Sequence, residues 1–337
     1  MRVLITGGSG YVGSRLTYYL LEKFSDLEII NYDISLFGDE HLPKDSDKYK
    51  YYKKDIRNSE DFEGVIKKHP VDVVLHLACI SNDPSFELDS SLSKSINFEC
   101  FEDLVKVSKA NHVKKFIYAS TSSVYGISDN PRVDEEHELK PITDYNTLKA
   151  KCEPLLIKHV DNNFHGIVIR PATVCGYSEK MRFDLSVNIL TNHAYINNKI
   201  NIFGGEQYRP NINLNDMCRL YEMLIFKDLK KFNGEIFNAG LQNLKISEIA
   251  NIVKRVVEKR KSEKVELNFT KSDDLRSYRI TSDKIQKILG FNFQFSIEDA
   301  VEELCENFKN GNLTDTFNTK FQNIKVLKNK LEKKEFI

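Results

Sequence analysis

The chain opens "MRVLITGGSGYVGSRLTYYLLEKF", in which a β-branched run ends on closely spaced glycines and passes at once into a stretch of helical length. A backbone that leaves a strand and enters a helix within a few residues must turn where side chains would collide, and glycine permits that turn. The junction reads as a first βα unit. Strand-like runs then recur as "LEIINYD", "YKYYKKD", "VDVVLHLA", "KKFIYAST" and "GIVIRPAT", separated by segments such as "FECFEDLVKVSKANH". Continuous apolar runs mark strands covered on both faces, so the pattern predicts a doubly wound α/β domain with a parallel sheet.

After about residue 175 the alternation loosens into a helical stretch over 183–197, a strand-like "KINIF", Gly204-Gly205 and the amphipathic "KISEIANIVKRVVEK". The expected organisation is the doubly wound domain over 1–175, completed by parts of 212–240. A smaller mixed α/β domain with a C-terminal tail occupies 176–337. The tail "NIKVLKNKLEKKEFI" carries only a thin apolar stripe (Ile324, Leu327, Leu331) among lysines, which predicts a solvated helix or a frayed end.

Forty-nine basic and 49 acidic residues cancel and are interspersed, so no broad field would attract nucleic acid or an anionic membrane. Any anion site must be local. Six cysteines without a Cys-x-x-Cys pair read as reduced core thiols, not as disulfides or a metal site. The longest apolar run, "VDVVLHLACI", is far below the roughly 20 residues of a membrane span. With no basic leader or cleavage site at the start, the expectation is a cytoplasmic protein.

Gly7, Gly10 and Gly13 stand at three-residue spacing between the first strand and the first helix, and Asp33 ends the second strand twenty residues after Gly13. That combination predicts a dinucleotide site, with a pyrophosphate at the helix N-terminus and ribose hydroxyls on the carboxylate. A 2′-phosphate would face the Asp33 carboxylate, and Ile34 and Ser35 follow in place of an arginine, so NAD is favoured over NADP.

"TDYNTLKAK" sets Tyr145 four residues before Lys149, a spacing that brings both onto one helical face. Tyr19/Lys23, Tyr49/Lys53 and Tyr195/Lys199 share the spacing, so context must choose. Only Tyr145 has a hydroxyl-rich strand end, "STSS", upstream and a strong helical continuation downstream.

With "TGGSGYVGS", "HLAC", "STSSVYG" and "YNTLK" in this order, the sequence resembles the extended short-chain dehydrogenase/reductase family, in particular its nucleotide-sugar epimerases and dehydratases, over roughly residues 1–305. The resemblance implies a Rossmann domain that holds NAD through Gly7, Gly10, Tyr11, Val12 and Gly13. It adds Asp33, Asp55 and Ile56 at the adenosine, and Leu77, Ala78 and Asn97 along the cofactor. Thr121, Tyr145 and Lys149 match the catalytic Ser/Thr, Tyr and Lys. In this reading Tyr145 exchanges a proton with a sugar hydroxyl, its pKa lowered by the neighbouring ammonium and the nicotinamide ring. Lys149 would also bind the nicotinamide ribose, and Thr121 would hold the reacting oxygen. "RPATVCGY", "MRFDLSVN", "GGEQYRPNINLNDMCR" and "DLRSYRITSDKIQKILGF" imply substrate contacts at Thr173, Arg182, Asn188, Arg209 and Arg276, the arginines 209 and 276 on the diphosphate of a sugar nucleotide.

The family's 4,6-dehydratases place an Asp-Glu pair directly after the catalytic threonine. Here Ser122 and Ser123 stand there, and serine cannot do that acid/base work at neutral pH. Thr173 replaces an asparagine of several epimerases. The leading expectation is therefore an NAD-dependent 4-epimerase of a nucleoside-diphosphate sugar, of the kind that supplies bacterial-type surface polysaccharides, and a homodimer by resemblance. A C4 dehydrogenase, a 4-keto reductase, a 4,6-dehydratase and a non-catalytic dinucleotide sensor are the alternatives.

Overall fold

The structure, a computed structural model, describes residues 1–271 and 277–335. Its strands are β1 (Arg2–Thr6), β2 (Glu28–Asp33), β3 (Tyr49–Lys53), β4 (Val73–His76), β5 (Lys115–Ala119), β6 (His165–Pro171), β7 (Thr173–Cys175), β8 (Lys199–Phe203), β9 (Tyr208–Asn213), β10 (Ile236–Ala239), β11 (Gln242–Lys245) and β12 (Glu266–Thr270). Seven of them form one sheet in the order β10-β6-β5-β4-β1-β2-β3, with every neighbouring pair parallel. The expected doubly wound α/β architecture is present. Because successive side chains point to opposite faces, Val3 and Ile5 enter one apolar core while Leu4 enters the other. Both faces are buried, which is why these strands read as unbroken apolar runs.

From β1 the chain builds outward to β2 and β3, then crosses back to lay β4 on the other side of β1. The connections after β1 and β4 therefore diverge at the carboxyl edge of the sheet and leave a crevice between them, the usual ligand position in such folds. The seventh strand, β10, comes from residues 236–239 and pairs with β6. The helix Leu214–Phe226 packs on the first helix, Tyr11–Lys23. The core that holds Val3 and Ile5 also takes in Ile212, Leu214, Met217, Tyr278 and Ile280, so the two halves of the chain share it.

Beyond the sheet, β7 pairs parallel with β9, β11 pairs antiparallel with β9, and β12 pairs parallel with β8. Helices Ser186–Asn197, Ile246–Lys261 and Ile297–Lys309 enclose a separate core of Val187, Ile202, Val253 and Val301. All six cysteines are free thiols. No helix among the described residues is long and apolar enough to cross a membrane.

The tail departs from expectation. Residues Asn323–Glu332 form a helix, but it is docked: Leu327 is fully buried against Leu36 and Ile80, with Leu331, Ile34, Phe37 and Ile96 around it. The thin stripe suffices because apolar residues in the loops after β2 and β4 meet it, while the lysines stay on the outer side.

Within the sheet, His76 at the end of β4 is 2% exposed, its Nδ1 2.8 Å from the Thr6 hydroxyl and its ring edge-on to Phe101. Burial, reinforced by the Lys149 charge, pulls the imidazole down to about 3. The folded protein keeps it neutral, whereas the unfolded chain takes up a proton near the ordinary value of about 6.5. The unfolded state thus binds the extra proton, and stability falls as pH drops from about 6.5 toward about 3, by ~1.4 kcal/mol per pH unit for this group. Urea unfolding across that range should show a slope shallower by this amount in His76→Asn, which keeps a polar partner for Thr6 but does not titrate. An identical slope in both proteins would exclude the contribution.

Candidate active site

The crevice at the sheet edge opens into a cavity of about 800 Å³. At its floor the glycine turn and the loop after β4 touch. Gly7 has φ +74°, and a Cβ there would lie 2.6 Å from the Ala78 backbone nitrogen; a Cβ at Gly13 would lie 2.5 Å from the Gly7 carbonyl oxygen. Gly10 begins the helix Tyr11–Lys23 without a side-chain cap, so the first backbone N–H groups and the positive end of the helix face the cavity. Asp33 accepts from the Ser9 amide at 2.9 Å and the Ser35 amide at 2.7 Å, one on each carboxylate oxygen. Burial pushes its pKa up and the two amides hold it back. A close-fitting glycine cradle, an uncapped helix start and a half-buried carboxylate that keeps lone pairs for ribose hydroxyls fit a dinucleotide.

Gly7, Gly10, Tyr11, Val12, Gly13, Asp33, Asp55, Ile56, Leu77 and Ala78 all line this cavity. Asp55 is gripped by the Arg57 guanidinium through two nitrogens at 2.9 and 2.6 Å. Asn97 is buried away from the lining. Its amide clasps the Ile80 backbone, accepting from the N–H at 2.8 Å and donating to the carbonyl at 2.9 Å, so it shapes the cofactor loop from behind.

At the other end, Thr121, Tyr145 and Lys149 line the same cavity. Thr121 follows β5 and caps the turn Ser122–Tyr125, its Oγ1 accepting from the Ser123 amide at 3.2 Å. Tyr145 stands in the first turn of the helix Asp144–Ile157. That helix is capped by Thr143, whose hydroxyl donates to Asp83 at 2.6 Å. Lys149, 3% exposed, donates to the Ala119 carbonyl at 2.7 Å and lies over the Tyr118 ring. The expected lowering of the Tyr145 pKa by Lys149 is not found. Burial, with the Cys79 thiol and the Asp83 carboxylate, pushes the phenol well above its usual value, and the cation opposing them is Arg182.

The other Tyr/Lys pairs sort by geometry. Lys23 does hydrogen-bond Tyr19, at 3.1 Å, but at the surface, where both bind Glu222. Tyr49 and Lys53 are the two ends of β3, and Tyr195 stacks on Phe308.

On the substrate side Thr173, Arg182 and Arg209 line the cavity. Arg182 forks onto Asp184 at 2.9 and 3.0 Å and reaches the Ser81 hydroxyl at 2.9 Å, which places its charge beside Tyr145. Arg209, on β9, donates to the Tyr208 carbonyl at 3.0 Å. Asn188 is fully buried behind the wall, bonded to the Gly176 amide, the Tyr11 hydroxyl and the Arg182 carbonyl. It braces two lining residues. Arg276 lies outside the described residues. Ser122 and Ser123 both hydrogen-bond the Tyr278 hydroxyl, at 3.2 and 3.0 Å, and all three line the cavity.

Sequence reasoning missed the anchor beneath the site. Glu153, one turn beyond Lys149, is 2% exposed and meets Arg170 of β6, 3% exposed, through bonds of 2.6 and 3.0 Å. Ser120 donates to the same carboxylate at 2.6 Å, and Arg170 continues to the Tyr125 hydroxyl at 2.8 Å, which donates to Asn238 of β10 at 2.7 Å. The available signal was an acidic residue on the same face as Lys149 opposite an arginine inside an apolar strand. Glu153→Gln should strand a buried guanidinium and destabilise the fold by about 3–5 kcal/mol in denaturant unfolding, with turnover falling as Thr121 and Lys149 lose their common anchor. A change below 1 kcal/mol would mean that Arg170 finds another partner.

The sequence pattern of the NAD dependent epimerase/dehydratase family matches residues 3–240. A dTDP-D-glucose 4,6-dehydratase of Dictyostelium discoideum is 29% identical over 281 residues, 76% of this chain and 61% of its own length. A UDP-glucuronate 4-epimerase of Thermodesulfobacterium geofontis is 27% identical over 317 residues, 89% of this chain and 93% of its own. The solved structure of the UDP-glucuronic acid 4-epimerase from Bacillus cereus, in complex with UDP-glucuronic acid and NAD, has the same fold, with a TM-score of 0.77 at 24% identity over 92% of this chain and 99% of its own. The family pattern runs from the first strand of the large sheet to its last, and the cradle it covers fits a dinucleotide: the chain belongs to the NAD dependent epimerase/dehydratase family, as an enzyme that uses NAD.

Proposed function

We propose that this enzyme interconverts nucleoside-diphosphate sugars epimeric at C4, by oxidation to a 4-keto sugar, rotation of that sugar and reduction on its other face. The observation that carries the choice within the family is the pair Ser122 and Ser123. Directly after Thr121 the cavity presents two hydroxyls engaged with Tyr278, in place of the two carboxylates a C5–C6 elimination requires.

NAD, when bound, supplies the acceptor and then the donor of the hydride. The chain's own groups handle the proton and the alignment. Tyr145 takes the proton of the C4 hydroxyl and later returns it. Arg182 is the cation that favours its phenolate. Thr121, whose oxygen already accepts the Ser123 N–H, keeps its own hydrogen to donate to the reacting oxygen. Lys149 ties the helix that carries Tyr145 to the end of β5, which fixes both groups relative to one another. Arg209 lies on the cavity wall where a diphosphate would need a cation, and Arg276 is assigned to the same task. A cytoplasmic homodimer serving surface-polysaccharide synthesis belongs to the same reading.

Purified protein incubated with UDP-, GDP-, CDP- and dTDP-sugars should interconvert one epimeric pair without net change in NADH absorbance. Accumulating ketone and NADH would instead identify a C4 dehydrogenase, and loss of water a dehydratase. Tyr145→Phe should lower turnover by ~10²–10⁴-fold, and undiminished turnover would reject the assigned acid/base.

A further inference from the structure

The family pattern ends at residue 240, yet the cavity wall also takes in Ile246, Tyr278, Asn323 and Ile324, the last two from the C-terminal tail. Asn323 is 5% exposed, and its Oδ1 is buried with no hydrogen-bond partner. An orphaned amide oxygen at a cavity wall is a cost that a bound ligand would remove.

The segment that carries Asn323 is held on both sides of that residue. Ahead of it, Thr316 bonds Asn192 at 2.5 Å, Lys180 donates to the Lys320 carbonyl at 3.0 Å, and the Phe183 amide donates to the Phe321 carbonyl at 2.9 Å. On the cofactor side, Leu327 fills a pocket between Leu36, three residues after Asp33, and Ile80, two residues after Ala78. Residues 316–332 therefore form a strap fastened at both ends, with Asn323 midway. Its docking holds together the two loops that flank the dinucleotide cradle.

We propose that this strap is a retention device for NAD: Asn323 hydrogen-bonds the sugar-phosphate part of the bound dinucleotide, and the docked Leu327 keeps the loops after β2 and β4 closed over it. A side-chain amide can turn its oxygen to a ribose hydroxyl or its nitrogen to a phosphate oxygen, and both belong to the same ligand. The inference rests on NAD binding and not on which sugar is turned over. A firmly held cofactor is also what a redox-neutral cycle needs, since the hydride removed must be returned.

The test uses full-length protein, with NAD affinity from calorimetry and the release rate from the loss of bound-NADH fluorescence on dilution into excess NAD. Asn323→Ala should weaken NAD by roughly 2- to 13-fold, the worth of one hydrogen bond, without lowering the unfolding temperature of the cofactor-free protein. Leu327→Ala should accelerate release, with the cofactor-free fold intact by circular dichroism. Asn323→Asp separates the two contacts: retained affinity indicates a ribose hydroxyl, and a further loss indicates a phosphate. Affinity and release unchanged in both alanine variants would overturn the proposal, as would an Asn323→Ala protein that loses stability while binding NAD normally.

Discussion

The site stands on a buried ion pair. Glu153 and Arg170 are almost wholly removed from water, where two charges survive only if their hydrogen-bonding capacity is filled. Ser120 donates to the carboxylate and Tyr125 accepts from the guanidinium, with Asn238 behind Tyr125, and these residues come from the end of β5, the turn after Thr121 and the seventh strand. Replacing such a pair with apolar residues can leave stability unchanged, so stability alone does not explain it. What the pair supplies here is position: it pins the helix bearing Tyr145 and Lys149 to the strand end bearing Thr121, at the one place where an error of an ångström would matter.

Tyr145 illustrates how local charge decides chemistry. Its surroundings press the phenol to stay protonated, through burial, a thiol and a carboxylate, with one guanidinium opposing. In the proposed mechanism a cationic ring alongside would oppose that bias and favour the phenolate.

What the sequence made legible was whatever the backbone itself demands. Gly7 and Gly13 are legible because no other residue fits their contacts, and Asp33 because a strand end beside a glycine turn has few uses for a carboxylate. The parallel sheet was legible because strands buried on both sides lose the alternation of half-exposed ones. Side-chain destinations were not. Asn97 and Asn188 were read as ligand residues, and the partners the fold gives them, Ile80, Tyr11 and Arg182, were not foreseen, because an amide's partners are set by distant segments that periodicity does not reveal. Leu327 was misjudged for the same reason: a three-residue stripe looks weak until the loops that receive it are known.

One feature of the sheet bears on how the chain is made. β6 lies against β5 on one side, but among the described residues its other edge is covered only by β10, whose first residue, Ile236, follows the end of β6 by more than sixty positions. The helix Leu214–Phe226, which shields the first helix, is equally late. During synthesis the six earlier strands emerge with an open hydrogen-bonding edge and an uncovered apolar face. The nucleotide-binding half cannot finish folding before part of the other half has been translated, so the boundary visible in the sequence pattern is not one at which the nascent chain could be cut.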